Sequence, residues 1–372
     1  MVDFAVSDEQ EELRRSVRRF FADKSPSAEV RRLMATDEGY DPAVWQQMAE
    51  QLGLPGLAIP ESYGGSGYSY VELAVVFEEA GAALLCSPLF GTVALAANAL
   101  LQSTDDAAKK EYLPAIAAGE LTATLAITED DGKWEADAST LRATASGDAW
   151  TLSGTKSFVI DGHTAGLVLV VGVTDAGLSL FAVDGDGAGL ERSLLPTLDQ
   201  TRKQARLTFA DTPARLIGTA GHAADVAANT LSLAAVALAA ESTGGAQRCL
   251  DSSVDYAKTR IQFGRQIGSF QAIKHKCADM LVEVESARSA AYFAASEAAD
   301  DSAELAAAAN LAKAYCTDAY FNTAAENIQI HGGIGFTWEH DAHLYFKRAK
   351  SSQLLLGDPS YHRELLAQQI GV

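Results

Sequence analysis

One carboxylate, Glu241, sits inside the stretch LSLAAVALAAESTGGAQ (231–247), and between Asp225 and Arg248 no other residue carries a formal charge. A carboxylate is costly to bury unless it is paired or faces a cavity. Set against an apolar cavity it has a raised pKa, which suits a general base. The plain alternative is a solvent-facing glutamate, but nothing else ionisable on the segment marks a solvated face, and the many alanines and glycines leave room beside it. Two more stretches offer chemistry. In TRIQFGRQIGSFQAIKHK (259–276), Arg260 and Arg265 lie among Gly264 and Gly268, with Ser269 placed to cap the helix that follows. Guanidinium groups at a helix start suit a phosphate or pyrophosphate, and equally a glycine-broken turn whose arginines pair with surface carboxylates. In ENIQIHGGIGFTWEH (326–340), Gly332, Gly333 and Gly335 permit a helix C-terminal cap or close approach of backbone to a flat ligand. His331 beside them reads as satisfying a polar group at the helix end.

The elements that position these residues fall into three regions. Residues 1–118 are helical in pattern. Ser7-Asp-Glu-Gln10 forms a capping-box signature, Leu13, Val17, Phe20 and Phe21 follow at helical spacing, and amphipathic segments run near 43–52, 69–85, 89–102 and 105–117, interrupted by the turn-rich IPESYGGSGYS. Residues 119–219 change character. LTATLAIT, TLRATAS, AWTLSG, GLVLVVGV, LSLFAV and ARLTFA are short, rich in Thr, Val and Leu, and bounded by turn residues, which predicts a small antiparallel β-barrel or sandwich. From 220 to 372 the helical period returns near 222–258, 269–299 and 303–331, predicting a helical bundle. The fold class is therefore α+β and multi-domain.

Composition sets outer limits. The 372 residues, 48% hydrophobic and 21% charged, suffice for a large core. A net charge of −20 argues against a general nucleic-acid binder, although not against a small anion in a local basic pocket. Cys86, Cys249, Cys277 and Cys316 show no metal-type spacing, which predicts a reduced, cytoplasmic protein. The N-terminus MVDFAVSDEQEELRR turns charged too soon for a signal peptide. The apolar run at 231–240 is about half the ~20 residues of a membrane span, so none is expected.

Together these segments resemble the acyl-CoA dehydrogenase family along essentially the whole chain. SDEQEELRRSVRRFF is similar to the family's opening helix, PESYGGSGYS to its early turn, and AITED and GTKSFVIDG to its flavin-contacting β-segments. YAKTRIQFGRQIGSFQAIKHKCADM and IQIHGGIGFTWEHDAHLYFKRAK resemble the two most characteristic stretches of its C-terminal four-helix domain. The resemblance implies a helical N-terminal domain, a middle β-barrel and a C-terminal four-helix bundle. It also implies FAD-dependent α,β-desaturation of an acyl-CoA: a carboxylate takes the α-proton, a hydride leaves the β-carbon for flavin N5, and hydrogen bonds to the thioester oxygen stabilise the enolate.

Residue by residue, Thr128 matches the family threonine near the flavin. Phe158 stands where a tryptophan usually meets the ring, and Ile160 where a Thr or Ser usually hydrogen-bonds it. Arg260, Phe263 and Gln271 match residues holding the FAD pyrophosphate and adenosine of a neighbouring subunit, and Gln329, Gly332 and Gly333 match another cross-subunit contact. A tetramer is implied, with an electron-transfer flavoprotein as acceptor.

Two departures stand out. Where the family carries its base before Gly-Thr, this chain has Leu356-Gly357-Asp358. Where a Pro-x-Ala-Gly-Ser-Asp loop usually follows Thr128-Glu129, it has DDGKWEA. Isovaleryl-type members place the base on the helix entering the C-terminal domain, near Ala234 here, and Glu241 lies about two turns on along the same face. Glu241 is therefore the expected base, with Asp358 or no base at all as alternatives. The small residues around it suggest a branched or steroid acyl group. A non-catalytic or half-site partner in a heterotetramer is the competing reading, supported by the altered loop, Phe158 and Ile160, and opposed by a buried, unpaired glutamate. An oxidase is a third.

Overall fold

A computed structural model describes residues 7–147 and 149–372. Residues 1–6, where the reading against a signal peptide begins, lie outside the described residues. In chain order come α1 (Asp8–Lys24), α2 (Ser27–Met34), α3 (Pro42–Leu52), α4 (Tyr70–Ala82), a π-helical stretch (Phe90–Ala97) running into α5 (Asn98–Gln102), and α6 (Asp106–Ala117). Strands follow: β1 (Ala123–Ala126), β2 (Arg142–Ser146), β3 (Ala149–Ile160), β4 (Leu167–Thr174), β5 (Gly177–Asp184), β6 (Leu190–Leu194) and β7 (Gln204–Ile217). The chain ends with α7 (Ala224–Thr259), a hairpin of β8 (Ile261–Gln262) and β9 (Arg265–Gln266), α8 (Gln271–Ala299), α9 (Leu305–His331), α10 (Ala342–Leu354) and α11 (Pro359–Gln369).

Two compact units form, and they do not follow chain order. One comprises Met1–Val30, Tyr70–Leu85 and Ala235–Val372; the other, Arg31–Ser69 and Cys86–Ala234. In the second unit, β4, β2, β3, β7 and β5 pair in turn and β5 returns to β4, closing a barrel, with β1 added on β4 and β6 on β7. The sequence pattern predicted antiparallel strands. Most are, but β1 pairs β4 in parallel and β2 meets β4 in parallel at one position. Leu152, Val168, Val170, Phe181, Leu207 and Phe209 fill the interior. The register between β3 and β7 slips between Lys156 and Val159, and Phe158 adopts φ 58° there. This bulge breaks the in–out alternation of the strand: the successive residues Lys156 and Ser157 are both buried, and Phe158 is left partly exposed.

In the first unit, the capping box predicted at Ser7 is present, with Gln10 N donating to Ser7 Oγ and Ser7 N to Gln10 Oε1, each at 3.1 Å. Ala246 and Cys249 of α7, Met280 and Val284 of α8, Tyr320 and Ala324 of α9, and Ala349 of α10 share one core, which is the expected helical bundle. Where α4 meets α7, a Cβ on Gly81 would overlap the Glu241 carbonyl and one on Gly244 would overlap that of Glu78. The small residues around Glu241 therefore let two backbones touch, and the room they were expected to leave is taken by α4. Among the described residues α7 is long and apolar enough to cross a bilayer, and 72% of its most apolar window is buried inside the protein.

Candidate active site

Glu241 lies on α7 at 6% exposure, and Arg348 of α10, at 2%, brings Nη1 to 3.1 Å from its Oε1. The expectation of an unpaired carboxylate is thus corrected. Its partner lies on another helix, where the spacing along α7 could not reveal it. A buried pair of this kind links α7 to α10, and breaking it from one side costs about 3–5 kcal/mol.

The turn after α10, where the family's base would stand, is tied in a different way. Leu356 is buried at φ 64°, a conformation that disfavours side chains. Asp358 caps α11, its Oδ1 accepting from Tyr361 N at 2.8 Å. Beneath the turn, Lys313 Nζ donates to the carbonyl oxygens of Gln353, at 2.8 Å, and Gly357. Burial pushes this lysine down to about 7, against the pull of Asp358 and Asp318. His362 Nε2 donates to the Leu356 carbonyl at 2.9 Å, and Nδ1 lies 2.6 Å from Asn310 Oδ1. Burial first, then the Lys313 charge, holds this imidazole down at about 4.

The residues expected to meet a cofactor fall in both units. In the barrel unit, Thr128 is 2% exposed and its Oγ1 has no hydrogen-bond partner among the described residues. Phe158 is 38% exposed, while Ile160 is buried and its carbonyl accepts from Thr124 Oγ1 at 2.6 Å. The DDGKWEA loop is anchored by Asp130, which accepts from Ser157 Oγ and pairs with Arg206 at 2.7 Å. A Cβ on Gly132 in this loop would lie 3.9 Å from the Phe158 ring.

In the helical unit, Arg260, Phe263, Gln271, Gln329, Gly332 and Gly333 are all exposed. Phe263 sits in the β8–β9 turn at φ 53°. Among the described residues beyond the adjoining chain, nothing lies within 4 Å of a Cβ added at Gly332 or Gly333, and Gly332 ends α9 at φ 64° as its C-cap, one of the two roles expected of it. Tyr256 stacks on His331 at 4.3 Å and His331 meets His340 at 4.3 Å, tying the end of α7 to the glycine-rich segment. His331 satisfies the helix end as expected, with Nδ1 2.8 Å from Asn327 O. Ser269 does not cap α8; its hydroxyl donates to Gln266 O at 2.7 Å, and Phe270 occupies the cap position without a side-chain bond. Arg265 lies 4.0 Å over the Phe270 ring, and among the described residues neither it nor Arg260 pairs with a carboxylate.

Each unit, taken by itself, carries features that fit part of a flat, partly anionic cofactor such as FAD. The barrel unit has a buried hydroxyl with no partner among the described residues and an exposed aromatic; the helical unit has open glycines and arginines that pair with no carboxylate among the described residues. Sequence reasoning missed Arg348, Lys313 and Lys156. Lys313 is a lone cation in the Ala-rich run LAAAANLAKAYC, and that anomaly was the available signal; Arg348, in the cation-rich run FKRAKSS, and Lys156, in SGTKSF, carried none.

Comparison with known proteins gives a consistent result. Residues 7–120 match the family model described as acyl-CoA dehydrogenase, N-terminal domain, and residues 222–371 match acyl-CoA dehydrogenase, C-terminal domain. The chain is 37% identical to acyl-CoA dehydrogenase IpdE2 of Mycobacterium tuberculosis over 96% of this chain and 95% of the relative. A variant of the Tcur3481–Tcur3483 steroid ACAD superposes with a TM-score of 0.90 at 32% identity, covering 99% of each chain. A chain of the ChsE4–ChsE5 complex from Mycobacterium tuberculosis does so with a TM-score of 0.90 at 26% identity, covering 100% of each. The chain belongs to the acyl-CoA dehydrogenase family and is, like its members, an FAD-dependent oxidoreductase acting on acyl-CoA.

Proposed function

We propose that this chain takes part in α,β-desaturation of an acyl-CoA thioester as one half of a two-chain flavin site, in a cytoplasmic heterotetramer with a homologous subunit. The observation that carries this reading is the buried Glu241–Arg348 pair at 3.1 Å. Proton uptake by Glu241 would break that pair from one side, so the α-proton goes to a carboxylate of the companion chain. Arg260, Phe263, Gln271, Gln329, Gly332 and Gly333 serve the neighbour's cofactor, while Thr128 hydrogen-bonds and Phe158 flanks the ring held by this chain. Ile160 offers no side-chain hydrogen bond there. FAD supplies the hydride acceptor when bound. Two similar structures, named as the ChsE4–ChsE5 complex and a Tcur3481–Tcur3483 steroid enzyme, support a paired assembly and a bulky, steroid-like acyl group. An electron-transfer flavoprotein is the acceptor this reading calls for.

A second reading keeps Glu241 as the base in a homotetramer. It is favoured by one observation: of the two places where a base is expected, only α7 offers a carboxylate in the interior, since Leu356 is apolar and Asp358 caps a helix. Glu241→Gln in the assembled, flavin-loaded protein separates the two. If kcat falls by about 10³ or more with the melting temperature nearly kept, Glu241 is the base. Turnover within a few-fold of the parent, with a lowered melting temperature, supports the two-chain reading.

A further inference from the structure

We infer that Lys156 is the residue that positions the Thr128 hydroxyl for the flavin, an inference that rests on the reading of Thr128 as a flavin contact. Lys156 is fully buried on the inner face of β3, opposite the core residue Leu207 and just before the bulge. An ammonium has three donors, and its Nζ reaches three acceptors: Ile127 O at 2.6 Å, Glu129 Oε1 at 2.9 Å and Ser139 Oγ at 2.7 Å. Two of these belong to the residues immediately before and after Thr128.

The rest of the run is fixed with equal care. Ser157 N donates to Thr128 O at 2.8 Å. The Glu129 carboxylate also accepts from Thr140 N at 2.8 Å, Leu141 N at 3.0 Å, Ser139 Oγ at 3.1 Å and the Thr140 hydroxyl. Residues 127–129 are thereby bound on one side to β3 and on the other to residues 139–141. Within that run, the Thr128 hydroxyl is buried and has no partner among the described residues. A buried hydroxyl held this rigidly and left unsatisfied is set to meet a ligand atom.

The ionisation of the pair agrees with the geometry. Burial brings Lys156 down to about 8, with Glu129 acting to hold its proton. Glu129, although burial raises it, is brought down to about 2 by Thr140 and Lys156. Both stay charged at neutral pH, so the tie is an ion pair inside a hydrogen-bonded frame. It also compensates for a departure in sequence, because the loop that usually follows Thr128-Glu129 in the family is replaced here and the support comes from beneath the segment.

The test is a double-mutant cycle on flavin affinity, read by flavin fluorescence and visible absorption, in the protein assembled with whatever chain it needs to bind flavin. Thr128→Val is expected to raise the flavin Kd about tenfold, which is the loss of one hydrogen bond. Lys156→Met is expected to do the same, and the double variant to stay near tenfold, because both remove the same contact. Glu129→Gln approaches the tie from its other end and stands in if Lys156→Met does not fold. Effects that multiply to about a hundredfold, or a normal Kd in Lys156→Met beside a raised one in Thr128→Val, overturn the role of Lys156. A normal Kd in Thr128→Val overturns the flavin contact itself, and the inference with it.

Discussion

Helix α7 and the turn after α10 are the two places where a base is expected, and they handle charge in opposite ways. On α7 the carboxylate is inside the protein and matched by a guanidinium from α10. In the turn the carboxylate has moved outward to Asp358, where it caps α11, and the interior is occupied by Lys313 and the neutral imidazole of His362, which donate to backbone carbonyls. One site keeps an anion by pairing it; the other has become a tie between α9, α10 and α11. At both places the ionisable groups are tied into packing contacts, by a paired guanidinium in one and by backbone carbonyls and a helix cap in the other.

The comparison breaks most easily at Arg348. Arg348→Met leaves Glu241 without the cation matched to it, and unfolding free energy is expected to fall by about 3–5 kcal/mol. Arg348→Met combined with Glu241→Leu should recover most of that loss, since apolar pairs of similar volume replace buried ion pairs at little cost. Denaturant unfolding of the three variants measures this. A loss below about 1 kcal/mol in Arg348→Met would mean that the pair is no structural tie, and the base reading of Glu241 would gain.

The turn makes a prediction with pH. His362 has a folded pKa of about 4, below its ordinary 6.5, so the unfolded chain takes up the proton first as pH falls. Its contribution is therefore complete above pH 6.5 and lost between 6.5 and 4, by about 3 kcal/mol at most. Lys313, at about 7 in place of 10.5, acts with the same sign over a higher window: stability rises from pH 7 to 10.5. His362→Gln should flatten the acid limb and leave the alkaline one. Lys313→Met should remove the alkaline limb and, by taking away a repelling charge, shrink the acid one. If melting temperature between pH 4 and 6.5 follows the same course in His362→Gln as in the parent, the turn is not held by a neutral imidazole.

How far these ties were legible in sequence depends on the range over which each acts. The Ser7–Gln10 capping box, the helical periods and the change to strand pattern near 119 are local signals, and the elements formed where they pointed. Tertiary pairings carry no such signal. Arg348 meets Glu241 across more than a hundred residues, and the glycines that seemed to open space beside Glu241 instead admit α4. The bulge after Lys156 is equally silent, because a one-residue slip brings Val159 inside and leaves Phe158 partly exposed, the reverse of what alternation from Leu152 would give. The motifs around Arg260 and His331 were readable as candidate ligand sites from residue type. Ser269 was misread as a cap, since Phe270 starts α8 and Ser269 turns back to Gln266.

Asp358 gives the smallest effect and the sharpest control. As the cap of α11 it satisfies the Tyr361 N–H at 2.8 Å, so Asp358→Ala should cost about 1 kcal/mol of stability. Asp358→Asn keeps a capping oxygen and should lose only a fraction of that. Turnover in the assembled enzyme should stay within a few-fold of the parent in both, because the carboxylate is exposed and engaged with backbone. A loss of a hundredfold or more in Asp358→Asn, with stability intact, would reverse the contrast between the two regions: the turn would hold the base after all, and α7 only the ion pair.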